Sequence, residues 1–138
     1  MAEKDYLKEL KGSRNSKNRQ TILEVLKLFE VPATAEDIHR MLKYMKLSTS
    51  LSTVYRALET FTSNDIAIKS VMMDDNKARY ELNRSIDKHY IICMKCDKIF
   101  PFNFCPMDNI DKSLLEATNF DIKGHKFEIY GYCPECKK

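Results

Sequence analysis

The chain has 138 residues, 43% of them hydrophobic and 31% charged, the balance of one mid-sized or two small soluble domains. No apolar run approaches the roughly 18 residues a membrane span needs, and the charged N-terminus "MAEKDYLKEL" lacks the apolar stretch of a secretory signal, so a cytoplasmic chain is expected. The net charge of +3 does not by itself call for a nucleic acid, but residues 1–56 carry 11 Lys/Arg against 7 Asp/Glu while residues 57–138 carry 12 against 13, so a polyanion would meet the N-terminal part.

A basic lead-in, "KGSRNSKNRQ", precedes "TILEVLKLF", where Ile22, Val25, Leu26 and Phe29 recur at the spacing of one helix face. Pro32 and Ala33 end it. "TAEDIHRMLKYM" opens a second helix, with Thr34 as N-cap, Asp37 in the capping-box slot, and Ile38, Met41, Leu42 and Met45 as its apolar stripe. After the polar break "LSTS", "LSTVYRALETFTSND" gives a third helix that buries Leu51, Val54, Leu58 and Phe61. The strand-like runs "IAIKSVMM" and "ARYEL" flank "DDNK", the pattern of a hairpin. Three helices followed by a hairpin is the order of a winged helix-turn-helix.

The polar stretch "NRSIDK", residues 83–88, reads as a linker. Beyond it, "HYIICM", "KIFPFNF", "MDNIDKSLLEAT" and "FDIKGHKFEIYGY" predict strand, strand, helix, strand. The expected class is therefore α+β, with a winged-helix domain over 1–82 and a smaller α/β domain over 89–138. No internal repeat or low-complexity segment interrupts this order.

All five cysteines follow residue 90. In a reducing compartment they are not expected to form disulfides. Cys93/Cys96 and Cys133/Cys136 make two C-x-x-C knuckles separated by 36 residues. Each knuckle supplies half a tetrahedron of thiolates, and together they match the closed four-thiolate shell of a structural Zn²⁺, one per chain. Such a shell leaves no position for a catalytic water. A rubredoxin-like iron or a redox dithiol pair are the rival uses. Lys95, Lys98, Lys137 and Lys138 lie close in sequence and would soften the charge of four thiolates. Cys105 reads as a small, buried or half-buried side chain rather than a ligand, and His39 as a helix-surface or packing residue.

"SLSTVYRALETF" has the content of a recognition helix. Ser50 or Ser52 caps its start, and Ser52, Thr53, Tyr55 and Arg56 lie off its apolar face. Hydroxyls bond phosphates, the apolar parts of Thr and Tyr meet a thymine methyl, and Arg reads guanine or phosphate. Arg14, Lys17 and Arg19 would contact flanking phosphates. The ordinary alternative is a solvated surface.

These stretches together resemble the Fur (ferric uptake regulator) family of bacterial metal-dependent repressors, over nearly the whole chain. "RNSKNRQTILEVL" is similar to the family's first helix, "TAEDIHRML" to its second and "LSTVYRALETF" to its recognition helix, while "ARYEL", "HYIICMKCDKI" and "EIYGYCPEC" follow in order. The resemblance implies a homodimer that binds double-stranded DNA at an inverted-repeat operator, with the C-terminal domain as the dimerisation domain. It implies that Tyr55 and Arg56 contact bases and backbone, that Arg19 contacts phosphate, and that Cys93, Cys96, Cys133 and Cys136 hold the structural zinc. The places of the family's interdomain sensing site hold Pro32, Glu81, Lys88, Tyr90 and Pro101, so only Glu81 keeps a ligand there. A second family site, inside the dimerisation domain, falls on Asp87, His89, Asp108 and His125, a set that suits Zn²⁺, Mn²⁺ or Fe²⁺. Asp87 and His89 are two apart and would share a strand face. The ordinary readings are a helix-start acid for Asp108, a surface turn for His125 and a backbone-bonded ring for His89.

The expected function is a zinc-stabilised, metal-responsive DNA-binding repressor whose operator binding is favoured by metal at the dimerisation-domain site. The alternatives are a Fur-like regulator without metal sensing, or a zinc-ribbon redox or metal-trafficking protein. No phosphate loop, nucleophile elbow or catalytic carboxylate pair is present, so neither an enzyme nor a small-molecule substrate is expected, and no membrane partner.

Overall fold

Amphipathic helices need a second layer to bury their apolar stripes, and the N-terminal half supplies it with a small sheet. The computed structural model describes residues 16–72, 76–86 and 88–138, apart from the side chains of residues 16, 108, 109 and 111. It divides into two compact units, Met1–Arg84 and Ser85–Lys138. Of the expected DNA contacts, Arg14 lies outside the described residues, as does Asp87 among the expected ligands.

In the first unit, helix α1 (Ser16–Leu28) buries Ile22, Leu23, Val25 and Leu26. A two-residue strand, β1 (Ala33–Thr34), leads into α2 (Ala35–Tyr44). Thr34 caps that helix as its sequence predicts. Its side chain accepts from the Asp37 N–H at 3.1 Å, and the Asp37 carboxylate accepts from the Thr34 N–H at 3.0 Å. Such a cap is worth about 1 kcal/mol. The turn after α2 is fastened from inside: the His39 ring N–H donates to the Thr49 carbonyl at 2.8 Å. That bond fixes where α3 (Leu51–Ser63) begins. Ser50, not Ser52, caps α3 and accepts from the Thr53 N–H at 3.2 Å.

Val54, Leu58 and Phe61 of α3 are fully buried against Ile38, Leu42 and the α1 residues. Each such side chain contributes about 1.5–3 kcal/mol. Strands β2 (Ala67–Val71) and β3 (Ala78–Leu82) form the antiparallel wing, and β1 adds to the outer side of β3, giving the order β1-β3-β2. Glu59 braces α3 to this sheet, accepting from Tyr80 Oη at 2.7 Å and Lys69 Nζ at 2.8 Å. The three helices and hairpin expected from periodicity are all present. Met45 is the exception within the α2 stripe: it is the C-cap residue and is exposed.

In the second unit, β4 (His89–Cys93) is the centre of a three-stranded sheet of order β5-β4-β6. Its neighbour β5 (Ile99–Phe102) is antiparallel, and β6 (Glu128–Gly131) is parallel. A 3-10 turn over Pro106–Asn109 and helix α4 (Asp111–Thr118) connect β5 towards β6. The long final strand expected over 120–132 is shorter in fact. Among the described residues β6 pairs only with β4, and the register sets Tyr90 opposite Glu128. Residues before 127 would need a partner before His89, where β4 begins, so 120–126 are irregular and His125 precedes the strand rather than lying on it.

Candidate metal centres and nucleic-acid interface

The parallel pairing of β4 and β6 explains how knuckles 36 residues apart in sequence meet. Parallel neighbours end at the same edge of a sheet, and each of these strands runs into its C-x-x-C turn there. Cys93 is opposite Gly131, and the Met94 N–H donates to the Gly131 carbonyl at 2.7 Å. As a result the four Sγ atoms of Cys93, Cys96, Cys133 and Cys136 lie within 4.8 Å of one another, with Cys96 and Cys133 3.9 Å apart. A tetrahedron built on Zn–S bonds of ~2.3 Å has edges of about 3.8 Å.

The backbone prepares this cluster for charge. Cys93 Sγ accepts from the N–H groups of Cys133 at 3.4 Å and Cys96 at 3.5 Å, which brings its thiol down to about 6. The neighbouring Cys133 thiol, with loss of water, pushes the Cys136 thiol up to about 12. One thiolate is thus favoured and a full set resisted by mutual repulsion. A divalent cation relieves that repulsion, so the donor set fits zinc.

A second cluster lies near the start of β4. His89 is 4% exposed, and its Nε2 is sealed from solvent. Its ring centroid is 5.2 Å from that of His125, and Phe102 and Phe127 stand at 5.7 and 5.3 Å. Cys105 joins them: its Sγ is 3.3 Å from His125 Nε2. Ligand atoms of His89, Cys105 and His125 lie within 4.8 Å of one another. Of the four residues expected at this site, His89 and His125 therefore come together. Asp108 falls in the 3-10 turn, with its side chain outside the described set. Cys105 is thus a candidate ligand and not merely a packing side chain. Its only local signal was its position three residues before Asp108.

The positions that the resemblance aligns with the family's sensing ligands carry different chemistry here. Tyr90 is buried and faces Pro101 across the β4–β5 ladder. An apolar cross-strand pair stands where histidine and carboxylate would be needed. Lys88 is half-buried, and Glu81 is half-buried on the wing.

On the first unit, Ser52, Tyr55 and Arg56 are exposed on α3, and Thr53 is half-buried near its capped start. Tyr55 Oη donates to Glu36 at 2.7 Å, which lowers the Glu36 carboxyl and raises the Tyr55 hydroxyl. Arg56 Nε donates to the Ser52 carbonyl at 3.4 Å. Lys17 is exposed and Arg19 half-buried on α1. An open cleft beside Tyr55 is also lined by Arg40, Lys77 and Arg79. These three cations were missed from sequence. Lys77 and Arg79 belong to the wing run "NKARYEL", whose proximity to the recognition helix exists only once β3 pairs with its neighbours.

The ferric uptake regulator family model matches residues 10–130. The chain is 33% identical over 137 residues to the peroxide operon regulator of Bacillus subtilis, covering 98% of this chain and 93% of that one. It is 32% identical over 127 residues to the peroxide-responsive repressor PerR of Staphylococcus epidermidis, covering 92% and 83%. Among solved structures, the ferric uptake regulator from Francisella tularensis with iron superposes with a TM-score of 0.80 at 27% identity, covering 94% of this chain and 98% of that one. A family match over most of the chain, two ligand clusters and a winged helix in the expected order lead to one conclusion: the chain belongs to the ferric uptake regulator family.

Proposed function

We propose that the protein is a dimeric transcriptional repressor that binds an inverted-repeat operator through α3, is held together by zinc at Cys93, Cys96, Cys133 and Cys136, and responds to a second divalent metal in its C-terminal unit. The carrying observation is the second cluster: the buried His89 meets His125 in a unit whose four cysteines already form a separate group. Asp87 and Asp108 are the carboxylates assigned to complete it. The related PerR proteins are named as peroxide-responsive. In this chain Tyr90 and Pro101 fill two places of the interdomain sensor, which favours the C-terminal site as the one that responds.

The DNA-reading role falls to Tyr55 and Arg56, with Ser52, Thr53, Lys17, Arg19 and Arg14 on phosphates. Dimerisation falls to the sheet face of the second unit that its own core leaves uncovered. No described helix is long and apolar enough to cross a membrane, and paired free thiols fit a reducing cytoplasm.

Arg56→Ala tests the interface. A base contact is worth about 1–3 kcal/mol, so operator affinity should fall roughly 5–150-fold while binding to unrelated DNA changes less. Lys17→Ala should weaken both DNAs alike and reduce the salt slope by about one. Footprinting and anisotropy on the promoter region of the protein's own gene make the comparison. Wild-type operator affinity in Arg56→Ala would remove α3 from the interface.

A further inference from the structure

We propose that Cys105 is a ligand of the second metal, making that site a His89–Cys105–His125 centre that selects zinc-like ions over manganese. This rests on the second-metal reading above and adds the residue that sets its selectivity.

The geometry carries it. Cys105 ends the segment after β5 and opens the 3-10 turn, yet its side chain makes no capping bond to that turn. The thiol is instead directed at His125, 3.3 Å from Nε2. Tetrahedral zinc with Zn–S near 2.3 Å and Zn–N near 2.0 Å sets sulfur and nitrogen about 3.5 Å apart. His89, the buried member, is held among Phe102, Phe127 and the His125 ring. Three donors from three separate segments converge at this one spot, and among the described residues they share no member with the four-cysteine group.

Chemistry follows from the donor set. Carboxylates and imidazoles alone discriminate weakly between Mn²⁺, Fe²⁺ and Zn²⁺. A thiolate is a soft ligand that favours Zn²⁺ and Co²⁺ and disfavours Mn²⁺. Metal binding at such a site displaces the thiol proton. Phe102 and Phe127 shield His89, whereas Cys105 is half-buried and His125 exposed, so an ion can enter from the His125 side.

The test uses the full chain with one zinc per chain already bound, verified by metal analysis. Co²⁺ is then titrated anaerobically, with a chromophoric chelator reporting any zinc released. Wild type should bind one further cobalt and develop a thiolate-to-cobalt charge-transfer absorption without releasing zinc. Cys105→Ser should fold normally, because serine is a favoured N-cap. It should bind cobalt without that absorption and roughly 10–100-fold more weakly, at least the loss that outer-shell changes alone produce. Cys105→Asp should recover binding while shifting the Mn²⁺/Zn²⁺ preference towards manganese. An unchanged absorption in Cys105→Ser, or one that appears only as zinc is released, overturns the role of Cys105 and leaves the second-metal reading intact. Failure of wild type to bind any cobalt beside its retained zinc overturns both.

Discussion

Zinc removal is expected to unfold the second unit and leave the first folded. The reason is the difference between their cores. The first unit buries a continuous cluster from Ile22 to Leu82. In the second, the buried apolar side chains among the described residues are Tyr90, Ile92 and Met107, alongside Cys93 and Cys133 themselves. Those three contribute about 1.5–3 kcal/mol each, whereas structural zinc supplies about 10–16 kcal/mol to small zinc-finger peptides. Zinc at the four cysteines would therefore rival or exceed the contribution of these fully buried apolar side chains. It also ties β6 to β4 at the edge where the strand order depends on a single parallel ladder. Cys133→Ser, or a strong chelator, should cost strand signal in circular dichroism and split calorimetric unfolding into an early-lost and a retained transition. An unchanged single transition in protein shown to hold no zinc would contradict this.

The second large effect concerns the dimer. On β4, Tyr90 and Ile92 point into the unit's core, so by strand alternation Ile91 points away. The register places Phe100 and Ile129 on either side of it, and each of the three is 38% exposed. A row of three large apolar residues on the outer face is the surface that the proposed dimer would bury. Ile91→Lys should yield a folded monomer by analytical ultracentrifugation, with zinc content unchanged. Operator affinity should then fall by roughly 10²–10⁴, because the two half-sites are no longer bound as one event. A dimer of wild-type strength in Ile91→Lys would move the interface elsewhere.

What could be read from residues alone was whatever is written in local spacing. The capping box of Thr34 and Asp37, the apolar stripes of the first three helices and the two knuckles are all local patterns, and the structure contains them. What could not be read depended on contacts distant in sequence. β1 is two residues long and has no periodicity to detect. Residues 120–126 carry strand-like composition, but in this register β4 offers them no partner. Lys77 and Arg79 become neighbours of Tyr55 only through the wing. Cys105 meets His125 across 20 residues, and nothing near Cys105 in sequence distinguishes it from a packing cysteine. The histidines were legible because their spacing from Cys93 and Cys133 follows the family pattern.

Metal-responsive repression requires coupling between the second metal and DNA. The direct measurement is fluorescence anisotropy on an operator duplex, using dimer with one zinc per chain, with and without added Zn²⁺, Mn²⁺ or Fe²⁺. Coupling free energies of this kind change affinity roughly 5–150-fold. Wild type should gain operator affinity within that range, and His89→Ala/His125→Ala should gain none. Equal operator affinity with and without the second metal, in folded zinc-loaded dimer, would contradict metal-responsive repression.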